Sequence, residues 1–239
     1  MGSCTKTITE PGTTDTLRDT LHSVDTLHTL DTLHDTLGSG QAWVRFVSMY
    51  PDPLRLSTAQ GTLFTIAFNT CQGQYIPLRA DSSYTFYLTD AGNPGWSDSL
   101  PIGILGNAIY TIALFPLGAN NADWDQPIID SEKLTPPPPG YCYLRFIDGN
   151  GDQQFFIDLD SAGNSLFKAN GHSVSFSYKS LTPYVLIKAN TSHTIFLRDP
   201  STGQTPVRNQ EYFVDGFYYT GRIIGSLKNN TAQIAFDQE

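Results

Sequence analysis

Residues 148–152 read Asp-Gly-Asn-Gly-Asp. Oxygen-bearing side chains at alternate positions, with glycines that let the chain bend, are how calcium loops begin. Asp148, Asn150 and Asp152 are therefore candidate ligands. An EF-hand loop closes with Glu at its twelfth position, where this chain has Leu159, so a polar hairpin turn is the competing reading. Downstream, Asp158 and Asp160 alternate as if on one strand face, with no acid/base partner in view. His22, His28 and His34 recur every six residues and could offer imidazoles to zinc or nickel, although a local repeat alone produces that spacing. No G-x-S-x-G or H-E-x-x-H is present. His172 and His193 fall in strand-like stretches, and His193 is expected as a satisfied core histidine. Cys4, Cys71 and Cys142 show no C-x-x-C spacing, which excludes a zinc ribbon. Cys71 and Cys142 could pair, but they fall in different expected domains, and two partly buried free thiols are the expectation. Trp96, in the loop-like NPGWSD, and Trp124, in NNADWDQP after the first sandwich, suit stacking on a sugar ring, or else packing their own loops or the interdomain contact. Tyr212-Phe213 and Phe217-Tyr218-Tyr219 read as core plus one exposed edge. None of this makes a catalytic constellation, and the expectation is a protein that is not an enzyme. No cofactor is expected beyond calcium at Asp148, Asn150 and Asp152.

The elements that would carry these residues are strands. The chain has 239 residues, 15% charged and 12% aromatic, with 20 Gly and 15 Pro. Such a composition, rich in Tyr, Phe and Thr, favours an all-β protein. A net charge of −9 repels phosphate backbones and argues against nucleic acid as a partner. No apolar run approaches the length of a membrane span. In 83–89, SYTFYLT, Tyr84, Phe86 and Leu88 alternate with Thr85, Tyr87 and Thr89, a period of two with one face buried. Similar runs are 44–49, 63–69, 108–115, 143–148, 155–159, 174–179 and 219–225, separated by Gly, Pro, Asn and Asp turn clusters.

The pattern occurs twice. YIPLRADSSYTFYLTD (75–90) aligns without a gap with YVLIKANTSHTIFLRD (184–199), and Tyr110-Thr111 aligns with Tyr219-Thr220. AWVRFVS (42–48) aligns with CYLRFID (142–148), with extra residues in the second copy before the registers meet. The expected architecture is all-β: two tandem Ig-like or transthyretin-like β-sandwich domains, 41–135 and 141–239, joined by a proline spacer at 136–140 and preceded by an extended N-terminal tether at 1–40.

The tether repeats Asp-Thr-Leu. Its leucines recur mostly every three residues, so a helical stripe would spiral away. A self-associating strand and an unfolded stalk remain as readings. Asp-Thr/Ser-aliphatic resembles an O-glycosylation signal of one group of outer-membrane bacteria; Thr16, Thr20, Thr26, Thr32 and Thr36 match it, as do Ser99 and Ser161. Cys4, ahead of a polar Thr/Pro/Gly-rich segment, suits the acylated first residue of a bacterial lipoprotein, although no signal peptide stands before it.

VRFVSMYPDPLRL, the run ending YIPLRADSSYTFYLTD, and AIYTIALFP together resemble the bacterial domain-of-unknown-function family numbered 4397, over roughly 41–235. Ser48 and Pro51-Asp52-Pro53 fit that family's turn after the first strand; the second copy departs from it at 148–152. The resemblance implies tandem β-sandwiches in secreted, lipid-anchored or surface proteins and transfers no catalytic residue. The expectation is an exported lipoprotein at the outer membrane or cell surface, or in the periplasm. It would meet the membrane only through its lipid anchor and bind a protein or glycan of the cell envelope. The alternative is a structural subunit of an envelope complex or surface fibre, docking through 1–40.

Overall fold

The computed structural model describes residues 40–49, 53–59, 61–66, 75–92, 97–105, 108–116, 124–132 and 135–238; the side chains of 61–64, 66, 116 and 124–132 lie outside the description. Every regular element among these residues is a strand.

The first half holds β1 (Gln41–Ser48), β2 (Leu54–Thr58), β3 (Gly61–Ile66), β4 (Ile76–Arg79), β5 (Ser82–Asp90), β6 (Ser97–Ile104), β7 (Ile109–Pro116) and β8 (Trp124–Glu132). They form two four-stranded sheets, in the orders β4-β1-β7-β8 and β3-β2-β5-β6. The second half holds β9 (Tyr141–Asp148), β10 (Phe156–Leu159), β11 (Lys168–Ala169), β12 (His172–Ser173), β13 (Val185–Lys188), β14 (Thr191–Arg198), β15 (Val207–Phe213), β16 (Tyr218–Ile224) and β17 (Gln233–Gln238). Its sheets run β13-β9-β16-β17 and β10-β14-β15, with a small β11-β12 ribbon. In both halves the first strand lies parallel to the penultimate one, β1 with β7 and β9 with β16.

Alternation along β5 is as the sequence dictates: Phe86 and Leu88 are buried, while Thr85 and Tyr87 are exposed. Each half closes its own core. Val44, Phe46, Leu54, Leu56, Phe86 and Leu88 lie between the first pair of sheets. Leu144, Phe146, Ile157, Ile195, Leu197 and Phe213 do the same in the second.

The repeat extends to individual hydrogen bonds. Ala80 N–H donates to Gly40 O at 2.8 Å, and Ala189 N–H to Gly140 O at 2.9 Å. Both glycines have positive φ, 96° and 83°, conformations that L side chains rarely adopt. Asp81 and Asn190 follow with φ of 53° and 56° at the corner where the chain passes from one sheet to the other. Leu105 N–H donates to Tyr110 Oη at 3.0 Å, and Val214 N–H to Tyr219 Oη at 2.9 Å.

Several expectations are corrected. Residues 174–179 form no strand; Phe176 makes only an isolated bridge to Phe155. Trp124 opens the edge strand β8 instead of following the first sandwich. Strands β2, β6, β8, β15 and β17 were not apparent in the sequence, because polar residues interrupt their alternation. Asp158 and Asp160 do not share a strand face: Asp160 lies beyond the end of β10 with φ 63°.

The proline spacer does not hold the halves apart. The outward faces of sheets β4-β1-β7-β8 and β13-β9-β16-β17 pack against each other. Trp43, Tyr75 and Ile109 meet Tyr218, with Tyr143 and Tyr184 at their side. Val47, Met49, Ala113 and Phe115 meet Ile147 and Ile224. The result is four sheet layers in series, with the β3-β2-β5-β6 and β10-β14-β15 sheets outermost.

Candidate functional site

Three places concentrate chemistry: the seam between the halves, the outer sheet faces, and the turn at 148–152.

The seam carries charge that strand alternation turned outward from each core. Arg45 and Arg145 occupy equivalent positions on β1 and β9 and are 1% exposed. Arg145 donates to Thr220 Oγ1 in its own half at 3.0 Å and to Thr111 Oγ1 across the seam at 3.1 Å; Arg45 reaches the same Thr111 oxygen at 3.3 Å. Their guanidinium groups lie over the rings of Tyr75 and Tyr184, at 5.6 Å and 4.4 Å. Arg222 and Asp237 form a buried two-point ion pair on the same sheet, at 2.7 and 2.9 Å. A charge buried without partners would be costly; here hydroxyls and rings meet Arg45 and Arg145, and a carboxylate meets Arg222. Tyr218 Oη also donates to the carbonyl of Thr135, the last residue before the spacer.

On the outer faces two tyrosines meet solvent. Tyr87 on β5 is 43% exposed and Tyr212 on β15 is 52% exposed. Arg208 lies over Phe196, and Arg198 over Phe156. Arg198 also grips Asp158 at 2.6 and 3.0 Å, and this hydrogen-bonded carboxylate raises the guanidinium pKa. Asp158 thus has a cation of its own, and it also accepts from Gly163 N–H at 2.6 Å. Beyond the edge strands, the N–H bonds to Tyr110 and Tyr219 pin Leu105 and Val214, both exposed.

At 148–152, Asp148 is 1% exposed and Asn150 fully buried. Asn150 N–H donates to Asp148 Oδ1 at 2.7 Å, and Asp152 N–H to Asn150 Oδ1 at 3.2 Å. Asp148 Oδ2 and Asn150 Nδ2 have no hydrogen-bond partner among the described residues. Burial pushes the Asp148 carboxyl up to about 8; the Asn150 N–H opposes this and the nearby Asp152 charge adds to it. Asp152 also accepts from Ser226 Oγ and from the N–H groups of Leu227 and Lys228, both at 3.3 Å. Among the described residues no group of three or more His, Cys, Asp or Glu is placed to hold a metal; this turn brings two carboxylates and an amide oxygen.

His193 is inward and 7% exposed, as its alignment with Tyr84 predicts. Its Nδ1 lies 2.8 Å from Asp160 and its Nε2 2.9 Å from Lys188 O. A carboxylate is thus within reach of one ring nitrogen, and a backbone carbonyl of the fold meets the other. His172 is exposed on β12. Cys142 is a buried free thiol, pushed up to about 12 by burial and then by Asp215. Cys4, Cys71, Trp96, the histidines of the N-terminal strip and Thr16, Thr20, Thr26, Thr32 and Thr36 lie outside the described residues, as does the Trp124 side chain. Among the described residues no helix is long and apolar enough to cross a membrane. The arginine–threonine seam was missed from sequence, because a lone Arg on an outward strand position reads as a surface residue.

No family model matches the chain, and no curated protein matches it in sequence. Among solved structures, the Bacillus anthracis TIE protein is similar at 9% identity and a TM-score of 0.22; the match covers 79% of this chain and 34% of that one. A protein from Bacteroides ovatus ATCC 8483, provisionally assigned to cell adhesion, is similar at 8% identity and a TM-score of 0.23, covering 85% of this chain and 98% of that one.

Proposed function

We propose that the chain is a non-enzymatic binding module of the cell envelope: two tandem β-sandwich domains, exported, anchored through an acylated Cys4 and spaced from the membrane by a tether glycosylated at Thr16, Thr20, Thr26, Thr32 and Thr36. This follows the resemblance to family 4397. The observation that supports binding is the placement of Tyr87 and Tyr212, half-exposed on outer sheet faces of halves held together by a buried seam. A ring fixed on a strand loses little entropy when a ligand covers it, which suits a protein or glycan surface. The alternative is a structural subunit of an envelope complex or surface fibre docking through 1–40; the open edges β8 and β15, of nine and seven residues, are where it would add a strand.

The test is binding of the purified chain to a glycan array and to envelope fractions of the native cell, comparing wild type with Tyr87→Ser and Tyr212→Ser. Loss of binding with unchanged melting temperature supports the reading; binding that survives both substitutions removes these faces from it. Intact mass of native protein reads the acyl chains on Cys4 and the hexoses on the tether, and finding neither overturns the anchor.

A further inference from the structure

We propose that the turn at residues 148–152 holds a divalent cation of the calcium type, with Asp148 Oδ2, Asn150 Oδ1 and the Asp152 carboxylate as its protein ligands. The inference is independent of the binding reading above.

It begins from an unfilled valence. The Asp148 carboxyl is 1% exposed, and its Oδ2 meets no donor among the described residues. Buried polar atoms in native proteins are nearly always paired, and an orphan points to a missing water or ion. Asn150, fully buried two residues on, leaves Nδ2 unpartnered as well. An acceptor and a donor in one turn therefore fail to close on each other, and protein alone does not complete this cluster.

The chemistry of the cluster favours a cation as the missing partner. Asn150 Oδ1 uses one lone pair on Asp152 N–H and keeps another. Asp152, two residues beyond Asn150, brings a second carboxylate, whose oxygens also accept from the 226–228 turn. The elements packed around the turn contribute Ile223 from β16, the Lys179 backbone N–H, which donates to Asp148 O, and the Lys228 backbone N–H on Asp152. The Lys228 side chain is exposed and that of Lys179 half-buried. Three oxygen donors from one short turn, completed by water, suit the six to eight irregular positions of calcium better than the strict octahedron of magnesium. The turn is also supported from outside: Gly149 N–H donates to Ile223 O at 2.8 Å, and Asp152 caps the 226–228 turn.

The experiment uses the full chain stripped with EDTA. Its melting temperature is read with calcium or magnesium chloride at about 10 mM, and terbium emission is read through Tyr178, whose ring carbon lies 3.9 Å from a Cβ built on Gly151. Calcium is expected to raise the melting temperature by about 5 °C and to displace terbium, with magnesium much weaker. Asp148→Asn should abolish the calcium shift yet stay close to wild type in EDTA, because the amide keeps the shape of the buried carboxyl and loses only the anionic ligand. A structural carboxylate would instead lower stability in both buffers. The proposal is overturned if calcium leaves the wild-type melt and the terbium signal unchanged, if magnesium acts equally, or if Asp148→Asn keeps the full shift. Should Asp148→Asn not fold, the terbium displacement on wild type decides alone.

Discussion

His193 does in the second half what Tyr84 does in the first. Tyr84 Oη donates to Arg79 O at 3.1 Å, and His193 Nε2 meets Lys188 O at 2.9 Å, each ring reaching the carbonyl five residues back. The role is to fasten the corner between two sheets. His193→Tyr should therefore stay within about 1 kcal/mol of wild type, while His193→Phe, which leaves the carbonyl unsatisfied, should cost about 1–3 kcal/mol. Urea unfolding of both variants checks this; equal losses would show that the carbonyl bond is irrelevant.

Gly221 on β16 has no room for a methyl group. A Cβ there would lie 2.6 Å from the Phe146 ring and 2.9 Å from that of Phe236. Gly221→Ala should destabilise by about 1–3 kcal/mol through overpacking. The aligned position in the first half is Ile112, which pairs with Ile129 where Gly221 pairs with Phe236. The double change Gly221→Ala with Phe236→Leu should recover part of the loss in a thermal melt.

Thr111 takes hydrogen bonds from arginines of both halves. The wild type should melt in one calorimetric transition. Thr111→Val withdraws that oxygen from two buried guanidinium groups and should lower stability by about 1–3 kcal/mol, with the single peak broadening or splitting. A sharp unshifted peak would mean that the seam carries little coupling.

Asp199 sets an acid dependence. Its carboxylate is held down to about 2, first by the Ser201 hydroxyl, then by the Ser201 N–H, with Thr202 adding to both. The folded value lies below the unfolded one, so the turn is favoured above roughly pH 4 and loses that contribution as pH falls toward 2. Carbon-detected NMR titration of Asp199 should show the low midpoint, and Ser201→Ala should move it upward.

Cys142 should resist thiol reagents at pH 8 in the native state, being buried and raised to about 12, and react only after denaturation. Peptide mapping after alkylation separates it from Cys4 and Cys71. Labelling of native Cys142 would contradict the packing of β9.

Much of the fold was legible because alternation is a local signal. Phe86 and Leu88, or Leu144 and Phe146, stand between outward residues and declare which side faces the core. The ungapped match of 75–90 to 184–199 carried through to paired hydrogen bonds. Alternation says nothing of what covers the other side, however. Arg45, Arg145 and Thr111 lie on the side of their strands turned away from each core, and the layer that covers them is invisible from any one strand. Residues 174–179 alternate well yet join no ladder, since alternation does not supply a neighbouring strand. The Asp-Gly-Asn-Gly-Asp motif was readable as oxygen donors; the near-complete burial of Asp148 was not, because its neighbours, Lys179, Ser180 and Ile223, lie far along the chain.

The order of the four layers has a consequence for recognition. Tyr87 and Tyr212 belong to the two terminal sheets, which look away from each other. A single flat target cannot be gripped by both at once. If each is a contact point, the chain is shaped to be sandwiched, joining two bodies back to back at a fixed gap instead of clasping one of them twice.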